Sequence, residues 1–333
     1  MPHTFDAVLF VAFGGPQGLG DIRPFLANVL RGRRVDPARV EEVAHHYELF
    51  GGVSPLTELT ARQAAALAAS LRECHAPLPV YVGMRNWHPY LRDTLAQMSR
   101  DGIRRAVGFI AAAHRSYSSC TQYRENVAEA RAAIRAEGLA DVEVTFVGDW
   151  YTDDGFVEAN AAHVRAAIER LPADARAGAQ VVFTAHSIPV SMASRYPYER
   201  QVHESANAVM TRLRRGDVSA GTAPGAVVFQ SRSGRSEDPW LGPDVCDYLR
   251  DARREGVAAV VLAPIGFVCD HVEVLYDLDI EAAQVAREIG LPWSRAAAAN
   301  DHPAFIQTIS AAVTAVCGRY ATGRPLPLVA RAS

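Results

Sequence analysis

The sequence has few cysteines, no long apolar run and almost no excess of charge, and each shortage excludes a class of protein. Five cysteines are scattered at positions 74, 120, 246, 269 and 317, without a CxxC pair, which argues against a disulfide framework or a zinc ribbon. No apolar run approaches the ~18 residues of a membrane span. The first residues also lack the basic and apolar regions of a secretory signal. We therefore expect reduced thiols, a cytoplasmic location and no integral membrane segment.

The charge balance gives no reason to expect a nucleic-acid partner. The formal net charge is −3, and no basic face dominates the sequence. A hydrophobic content of 49% and a charged content of 21% are ordinary for a soluble globular protein. A length of 333 residues suggests about two domains.

Eight short apolar runs alternate with stretches of helical periodicity. The runs cover residues 7–13, 80–84, 106–113, 142–148, 181–185, 226–231, 258–267 and, more weakly, 295–300. They are apolar on both faces, which is typical of parallel strands covered by helices on both sides. The fold class predicted is therefore α/β, with two doubly wound Rossmann-like domains, each around a parallel four-stranded sheet, and an active-site cleft between them.

The domain limits follow from the same pattern. We expect an N-terminal domain over residues 5–171 and a C-terminal domain over residues 179–300. A last amphipathic helix, at 302–320, is expected to pack back on the N-terminal domain, and residues 321–333 to form a flexible tail.

His186 and Glu273 follow two of the apolar runs, at the strand ends where open parallel sheets bind ligands. An imidazole can accept a proton near neutral pH or bind a metal. Glu273, Asp277 and Glu281 are spaced i, i+4, i+8, so an α-helix would place three carboxylates along one face. Like charges at this spacing repel, so the pattern favours a site that handles a divalent cation.

Other segments carry weaker signals. The glycine-rich loop 12–22 lacks both GxGxxG and GxxxxGK[ST], and no HExxH motif is present. His271 fits a turn residue at least as well as a metal ligand. Ser54, followed by Pro55, has a sufficient explanation as a helix N-cap. Tyr117 and Tyr123 fit loop packing as well as ligand contact.

Taken together, these segments resemble the ferrochelatases, and most closely the coproporphyrin III ferrochelatases of actinobacterial and firmicute haem synthesis. The resemblance runs from about Ala7 to Tyr320. Its motifs, in order, are FGGP, RGRR, GGVSPL, RNWHPY, SYSSCTQY, GDWY, TAHSIP, YERQVHES, QSRSG, DPWLGPDV and GFVCDHVEVLYD. Each is modest evidence alone, but the ordered set is highly specific.

The resemblance implies a chelatase that inserts Fe2+ into a porphyrin held between two domains. His186 is then the catalytic histidine that accepts pyrrole protons, and Glu273 faces it across the porphyrin. Asp277 and Glu281 are expected to guide protons or metal, so the metal-contacting set is His186, Glu273, Asp277 and Glu281. The residues expected to bind the porphyrin are Ser54, Tyr123, Tyr47, Arg31 and Arg33.

Three positions depart from patterns seen in some relatives. Phe13 stands where some have a tyrosine iron ligand, which makes Tyr123 a better candidate than Tyr117 for an axial ligand. His46 replaces an arginine, so one propionate contact is in doubt. Only Cys317 lies near the C-terminus, so we expect no iron–sulfur cluster and no permanently bound cofactor.

The expected partners are a porphyrin and Fe2+, with the next enzyme of the haem pathway as a further candidate and a monomer as the default state. Coproporphyrin III is favoured because the sequence lacks a hydrophobic N-terminal lip. Protoporphyrin IX, a chelatase for cobalt or nickel, and a non-catalytic haem carrier stay open as alternatives.

Overall fold

The computed structural model describes residues 5–32, 35–74, 76–215, 225–233 and 238–321. The predictions for Arg33 and for residues 322–333 therefore lie outside the described residues. The strands are β1 Ala7–Ala12, β2 Val80–Met84, β3 Arg105–Ile110, β4 Glu143–Phe146, β5 Ala179–His186, β6 Ala226–Gln230, β7 Ala259–Ala263 and β8 Trp293–Arg295.

The α-helices are α1 Ile22–Val29, α2 Pro37–Leu49, α3 Pro55–Glu73, α4 Leu91–Arg100, α5 Gln122–Ala136, α6 Asp154–Glu169, α7 Ala173–Arg176, α8 Val190–Ala193, α9 Tyr198–Arg215, α10 Val245–Arg254, α11 Val272–Val274, α12 Ala283–Glu288 and α13 Pro303–Ala321. A 3₁₀ turn spans Leu19–Asp21, and two π-helical segments span Tyr117–Thr121 and Leu275–Ala282. No helix within the described ranges is both long and apolar enough to cross a bilayer.

The strands form two parallel four-stranded sheets, which confirms the predicted fold class. Their orders are β2-β1-β3-β4 and β6-β5-β7-β8, so both halves repeat one topology although no repeat is evident in their residues. In each sheet the order reverses beside the first strand of that half, between β1 and β3 and between β5 and β7. Ligands bind outside the carboxyl ends of the strands at such reversal points.

The last strand lies earlier than predicted. The weak run 295–300 was expected to form it, but β8 covers Trp293–Arg295. Ala296, Ala298 and Ala299 are buried, which gives this run the apolar character of a strand. The pairing with β7 nevertheless ends at Arg295, and the chain turns at Asn300, which adopts a left-handed conformation with φ of 47°. Its backbone N–H then donates to the Val268 carbonyl, 2.8 Å away.

One continuous apolar core joins the two halves through α6. Ring contacts run from Phe109 on β3 to Trp150 (5.3 Å between centroids) and from Trp150 to Phe156 on α6 (5.2 Å). Phe305 on α13 closes the group at 5.4 Å from Trp150. The same core includes Phe183 of β5, in the second half. Because α6 contacts α9 and α13, the two halves of the chain share a buried apolar surface rather than a solvated interface.

The short helix α7 lies between the two halves of the chain, within the linker that precedes β5. The long C-terminal helix α13 packs on α3 and β3 of the first half and on α6. Its first turn approaches α6 so closely that an ideal Cβ at Gly155 would lie 2.1 Å from the Ala304 carbonyl oxygen. Only glycine fits this crossing without a backbone shift.

Gly155→Ala is expected to lower the free energy of unfolding by about 2–3 kcal/mol, because the added methyl group forces α6 and α13 apart. Urea denaturation monitored by circular dichroism would measure the change. Gly318→Ala is the matched control, since a Cβ there meets nothing within 4 Å. In the helix α13 it should be neutral or stabilise by up to ~1 kcal/mol. Equal effects of the two changes would contradict the packing argument.

Candidate functional site

The site begins where β5 and β7 end side by side. β5 pairs with β7 in parallel, with Phe183 opposite Ala263. The loop after β7 then crosses the end of β5 at Gly266, whose N–H donates to the Thr184 carbonyl at 3.0 Å. An ideal Cβ at Gly266 would lie 2.6 Å from the Ala185 Cα. This glycine therefore lets the loop reach across β5 immediately before His186.

His186 is the last residue of β5, and its neighbours fix its orientation. Its Nδ1 lies 2.5 Å from the Ser187 carbonyl oxygen. A carbonyl can only accept a hydrogen bond, so Nδ1 carries the proton and Nε2 presents a lone pair. The Tyr198 hydroxyl donates to the His186 carbonyl (2.9 Å), and the Ser187 hydroxyl donates to the Leu241 carbonyl (2.7 Å). The imidazole is thus held ready to accept a proton at Nε2.

Glu273 faces this lone pair. Its Oε1 lies 3.8 Å from His186 Nε2, beyond hydrogen-bond length, and the two side chains are 32% (His186) and 44% (Glu273) exposed. A neutral imidazole and a carboxylate both present acceptors, so they do not bond directly. Once Nε2 takes a proton, the nearby carboxylate stabilises the resulting cation.

The helical segment after Glu273 is not the regular α-helix that the spacing predicted. Three α-helical residues of α11 pass into the π-helix Leu275–Ala282. A π-helix bonds i to i+5, so its turns are wider than those of an α-helix. Asp277 is only 8% exposed and is turned toward β6, whereas Glu281 is exposed. The three carboxylates therefore sit at different depths.

Asp277 is a buried carboxyl held by neutral donors. The Gln230 amide donates to its Oδ2 at 3.0 Å, and the Ser231 hydroxyl donates to the same oxygen. Burial, reinforced by the charge of Glu273, raises the pKa of Asp277 to about 7. Burial and the charge of Asp244 also raise the pKa of Glu281. Asp277 can therefore gain or lose a proton near neutral pH.

His271 caps the start of this segment. Its ring meets Phe267 edge-on at 4.9 Å, and burial lowers its pKa. Among the described residues, no three or more His, Cys, Asp or Glu side chains form a group able to hold a metal ion.

Helix α2 of the first half lies against the segment that carries Glu273. Tyr47 is buried in a cluster with Phe25 of α1 and Val272, the residue before Glu273. Burial, with the charge of Glu273, raises the pKa of Tyr47. Beside it the His46 ring stacks on Tyr276, with centroids 3.4 Å apart. Tyr47 and the acidic segment therefore lie together, and His46 has an aromatic partner.

Ser54 has the N-cap role that the sequence predicted. Its hydroxyl accepts a hydrogen bond from the Leu56 N–H at 3.4 Å, at the start of α3. The side chain is buried against Gly15, where an added Cβ would lie 2.6 Å from the Ser54 Cβ. The glycine-rich loop after β1 thus packs directly on this serine.

Tyr123 lies in a different part of the first half, in the first turn of α5, where it is buried in the core. The guanidinium of Arg85 lies 4.5 Å from the centre of its ring and 5.7 Å from that of Phe13. Burial raises the pKa of Tyr123. The structure therefore places Tyr123 near Phe13, with the guanidinium of Arg85 over the faces of both rings.

Arg31 is exposed at the end of α1, where it donates to the Asn28 Oδ1 at 2.6 Å. Together with Arg85 it lines a cavity of about 700 Å³ at the carboxyl end of β2. Amide side chains of Asn28 and Asn126 share this lining. The lining combines these hydrogen-bond donors, which are of the kind that bind carboxylates, with the side chains of Asp93 and Glu129.

Four residues beside the predicted ones received no role from the sequence. Gln230 and Ser231 bind Asp277, Tyr198 holds His186, and Arg85 covers Tyr123. Each falls within a motif that carried the resemblance: QSRSG, YERQVHES and RNWHPY. The motifs marked the segments, but only the fold shows which side chain each one touches.

Comparison with known proteins gives relatives along nearly the whole chain. The ferrochelatase family model matches residues 5–316. The coproporphyrin III ferrochelatase of Streptomyces griseus is 47% identical over 316 residues, which cover 92% of this chain and 84% of that protein. That of Nocardia farcinica is 45% identical, over 90% and 85% of the two chains. A ferrochelatase of Rhodopirellula baltica is 43% identical, over 95% and 87%.

Solved structures share the fold at much lower identity. SirB of Bacillus subtilis, solved with Fe3+, aligns with a TM-score of 0.57 at 12% identity, over 96% of this chain and 98% of its own. A multi-domain Deinococcus radiodurans protein with structural similarity to chelatases aligns with a TM-score of 0.53 at 16% identity. The match covers 92% of this chain and 55% of that longer one. These likenesses concern the fold alone, whereas the sequence matches establish that this chain belongs to the ferrochelatase family.

Proposed function

We propose that this protein is a lyase that inserts Fe2+ into coproporphyrin III to give coprohaem III in haem biosynthesis. The observation that carries the proposal is the His186–Glu273 pair, in which the Ser187 carbonyl holds Nδ1 and Nε2 faces the Glu273 carboxylate across 3.8 Å. The relatives from Streptomyces griseus and Nocardia farcinica are coproporphyrin III ferrochelatases, which supports this substrate.

The pair fits the proton balance of metallation. Entry of Fe2+ into a free-base porphyrin forms four Fe–N contacts and releases two pyrrole protons. Nε2 of His186 accepts a pyrrole proton, and Glu273 stabilises the imidazolium that forms. Tyr198 and Ser187 keep the ring oriented while its charge changes. His186 and Glu273 are therefore the proposed catalytic residues.

The deeper carboxyls provide a route for the released protons or the incoming cation. Asp277 ionises near neutral pH, so it can receive a proton and pass it on. The Gln230 amide beside it offers a donor to the ionised carboxyl and an acceptor to the protonated one. Glu281 lies at the exposed end of the segment. Hard oxygen ligands also bind Fe2+ weakly enough to release it to pyrrole nitrogen.

The substrate-binding roles of Tyr47, Ser54, Tyr123, Arg31 and Arg33 belong to the same proposal. Tyr47 lies beside the acidic segment, and Arg31 opens onto the donor-lined cavity. Four propionates on coproporphyrin require more cationic and amide donors than the two on protoporphyrin.

We also propose that the protein acts in the cytoplasm as a monomer, hands its product to the next enzyme of the pathway and needs no permanently bound cofactor. All five cysteines are free, which fits a reducing compartment. One is exposed, one is buried and three are partly buried. Their scatter along the sequence supports the absence of an iron–sulfur cluster.

Anaerobic metallation tests the function directly, with Fe2+ and either coproporphyrin III or protoporphyrin IX offered separately and absorbance as the readout. We expect a clear preference for coproporphyrin. His186→Ala should lose turnover by at least ~100-fold while still binding porphyrin, since the base is lost but the cleft is not. A preference for protoporphyrin would refute the substrate. Near-wild-type turnover by the variant would refute the role of His186, and no turnover of either porphyrin by the wild type would refute the function.

Tyr123→Phe is expected to shift the absorption spectrum of the iron-porphyrin product bound to the enzyme, because the axial oxygen is lost. Tyr117→Phe is the matched control, since the Tyr117 hydroxyl donates instead to Glu125 at 3.0 Å. An unchanged spectrum in Tyr123→Phe would remove the proposed ligand.

Asp277→Asn tests whether this carboxyl ionises near neutral pH. Below pH ~4 the aspartate is protonated in both folded and unfolded chains. Between pH ~4 and ~7 only the folded state keeps the proton, so the stability that Asp277 contributes is lost as pH rises and levels off above ~7. As the pH rises across this window, the unfolding free energy of the variant should therefore increase relative to that of the wild type by up to about 4 kcal/mol. Urea titrations at pH 4, 5.5, 7 and 8 would measure the difference, and a flat difference would contradict the raised pKa.

A further inference from the structure

Arg295, the last residue of β8, joins the two ends of the segment that carries Glu273. Its Nη1 donates to the Asp270 Oδ1 at 2.7 Å, and its Nε donates to the Asp279 Oδ1 at 2.8 Å. Asp270 lies just before Glu273, and Asp279 lies within the π-helix just after Asp277. One guanidinium thus contacts the acidic segment both before Glu273 and after Asp277.

Asp270 is fixed from a second direction by Asn300. The Asn300 amide donates to the Asp270 Oδ2 at 2.8 Å, and its Oδ1 accepts from the Asp270 N–H at 2.9 Å. Its left-handed conformation suits asparagine better than most residues. Gln63 of α3 then donates to the Asn300 carbonyl at 2.7 Å. The anchor of the segment therefore extends to a helix of the first half.

This ion triad differs from the surface pairs elsewhere on the molecule. The side chains of Arg295 and Asp270 are 16% and 13% exposed, and that of Asp279 is 35% exposed. By contrast, the nearby Arg62–Asp301 pair is 53% and 29% exposed, and its hydrogen bonds run between these two residues. Buried charge pairs add little net stability compared with apolar replacements. The planar fork of arginine nevertheless fixes the directions of two partners at once.

We propose that Arg295 is a positioning residue for metallation: by bridging Asp270 and Asp279, it holds Glu273 at its distance from His186 and Asp277 against Gln230. It touches neither substrate nor the reacting atoms and acts only through the segment that it clamps. This inference rests on the proposed function for its kinetic test, but the clamp itself can be measured without activity.

The kinetic test compares Arg295→Met with Arg62→Met, a matched loss of an arginine–aspartate pair nearby. Arg295→Met should lower kcat by at least ~10-fold and leave the KM for porphyrin within about 2-fold, because the binding walls are untouched. Arg295→Lys should recover only part of kcat, since a single ammonium cannot reproduce the fork. Arg62→Met should stay within about 2-fold of the wild type in both constants. Equal kcat losses in the two methionine variants, no loss in Arg295→Met, or full rescue by lysine would overturn the proposal.

Amide hydrogen exchange supplies the readout that does not depend on turnover. The rate of amide exchange over residues 270–282 should rise at least ~10-fold in Arg295→Met, because the segment can then open locally without first breaking the ion pairs of Arg295. The rate should stay unchanged in Arg62→Met. Asp279→Asn, which cuts only the π-helical arm, gives the same comparison if Arg295→Met does not fold. Unchanged exchange in this segment would refute the clamp. A wild type that metallates no porphyrin would instead refute the proposed function and leave exchange to decide the clamp.

Discussion

The site depends on one constraint, the side-by-side ending of β5 and β7 beneath a loop that has no room for a side chain. Parallel pairing brings the carboxyl ends of both strands to the same edge. Gly266 then lets the loop after β7 cross β5 in backbone contact, immediately before His186. A larger residue would lift this loop and the segment that follows it. The 3.8 Å between His186 and Glu273 is thus set by this backbone packing together with the proposed Arg295 bridge, rather than by a bond between the two side chains.

This segment carries two kinds of carboxyl group, which differ in their bonding partners and in the roles that we propose for them. Asp277 is buried with neutral donors, Gln230 and Ser231, which leave its ionisation near neutral pH. Asp270 and Asp279 instead share the guanidinium of Arg295. Burial raises the pKa of Asp277 and so favours exchange of a proton, whereas the planar guanidinium fixes the positions of its two carboxylate partners. One short segment can therefore hold its geometry and move protons without using the same residues for both.

The sequence predicted most of the fold because its strands are buried on both faces and so appear as apolar runs. It failed at β8, where the pairing with β7 ends at Arg295 although buried alanines after that residue give the run the apolar character of a strand. It also could not show the π-helix, since the spacing of Glu273, Asp277 and Glu281 fits one face of an ordinary α-helix.

The sequence indicated which residues form the candidate site, but not which side chains contact them. The position of His186 and Glu273 after strands of a parallel sheet predicted a ligand site, and the resemblance implied that the two residues face each other. Arg295 was missed because its partners, Asp270 and Asp279, are distant along the chain and meet only in the fold. Arg85 over Tyr123 was missed for the same reason.

The repeated topology explains why the proposed chemistry falls in the second half. The first sheet has the same strand order, and its reversal point also carries a histidine, His114, shortly after β3. The Ser205 hydroxyl donates to the Tyr151 carbonyl, so the His114 Nε2 must donate its proton to Ser205. Burial lowers the pKa of His114 to about 3, and nothing from solvent reaches it. His186 is the last residue of β5, and the last residue of β1 is Ala12, which the apolar Phe13 follows. Two sheets with the same strand order thus differ in which histidine is exposed to a substrate, and this difference fits the proposal that the first half binds the porphyrin and the second accepts its protons.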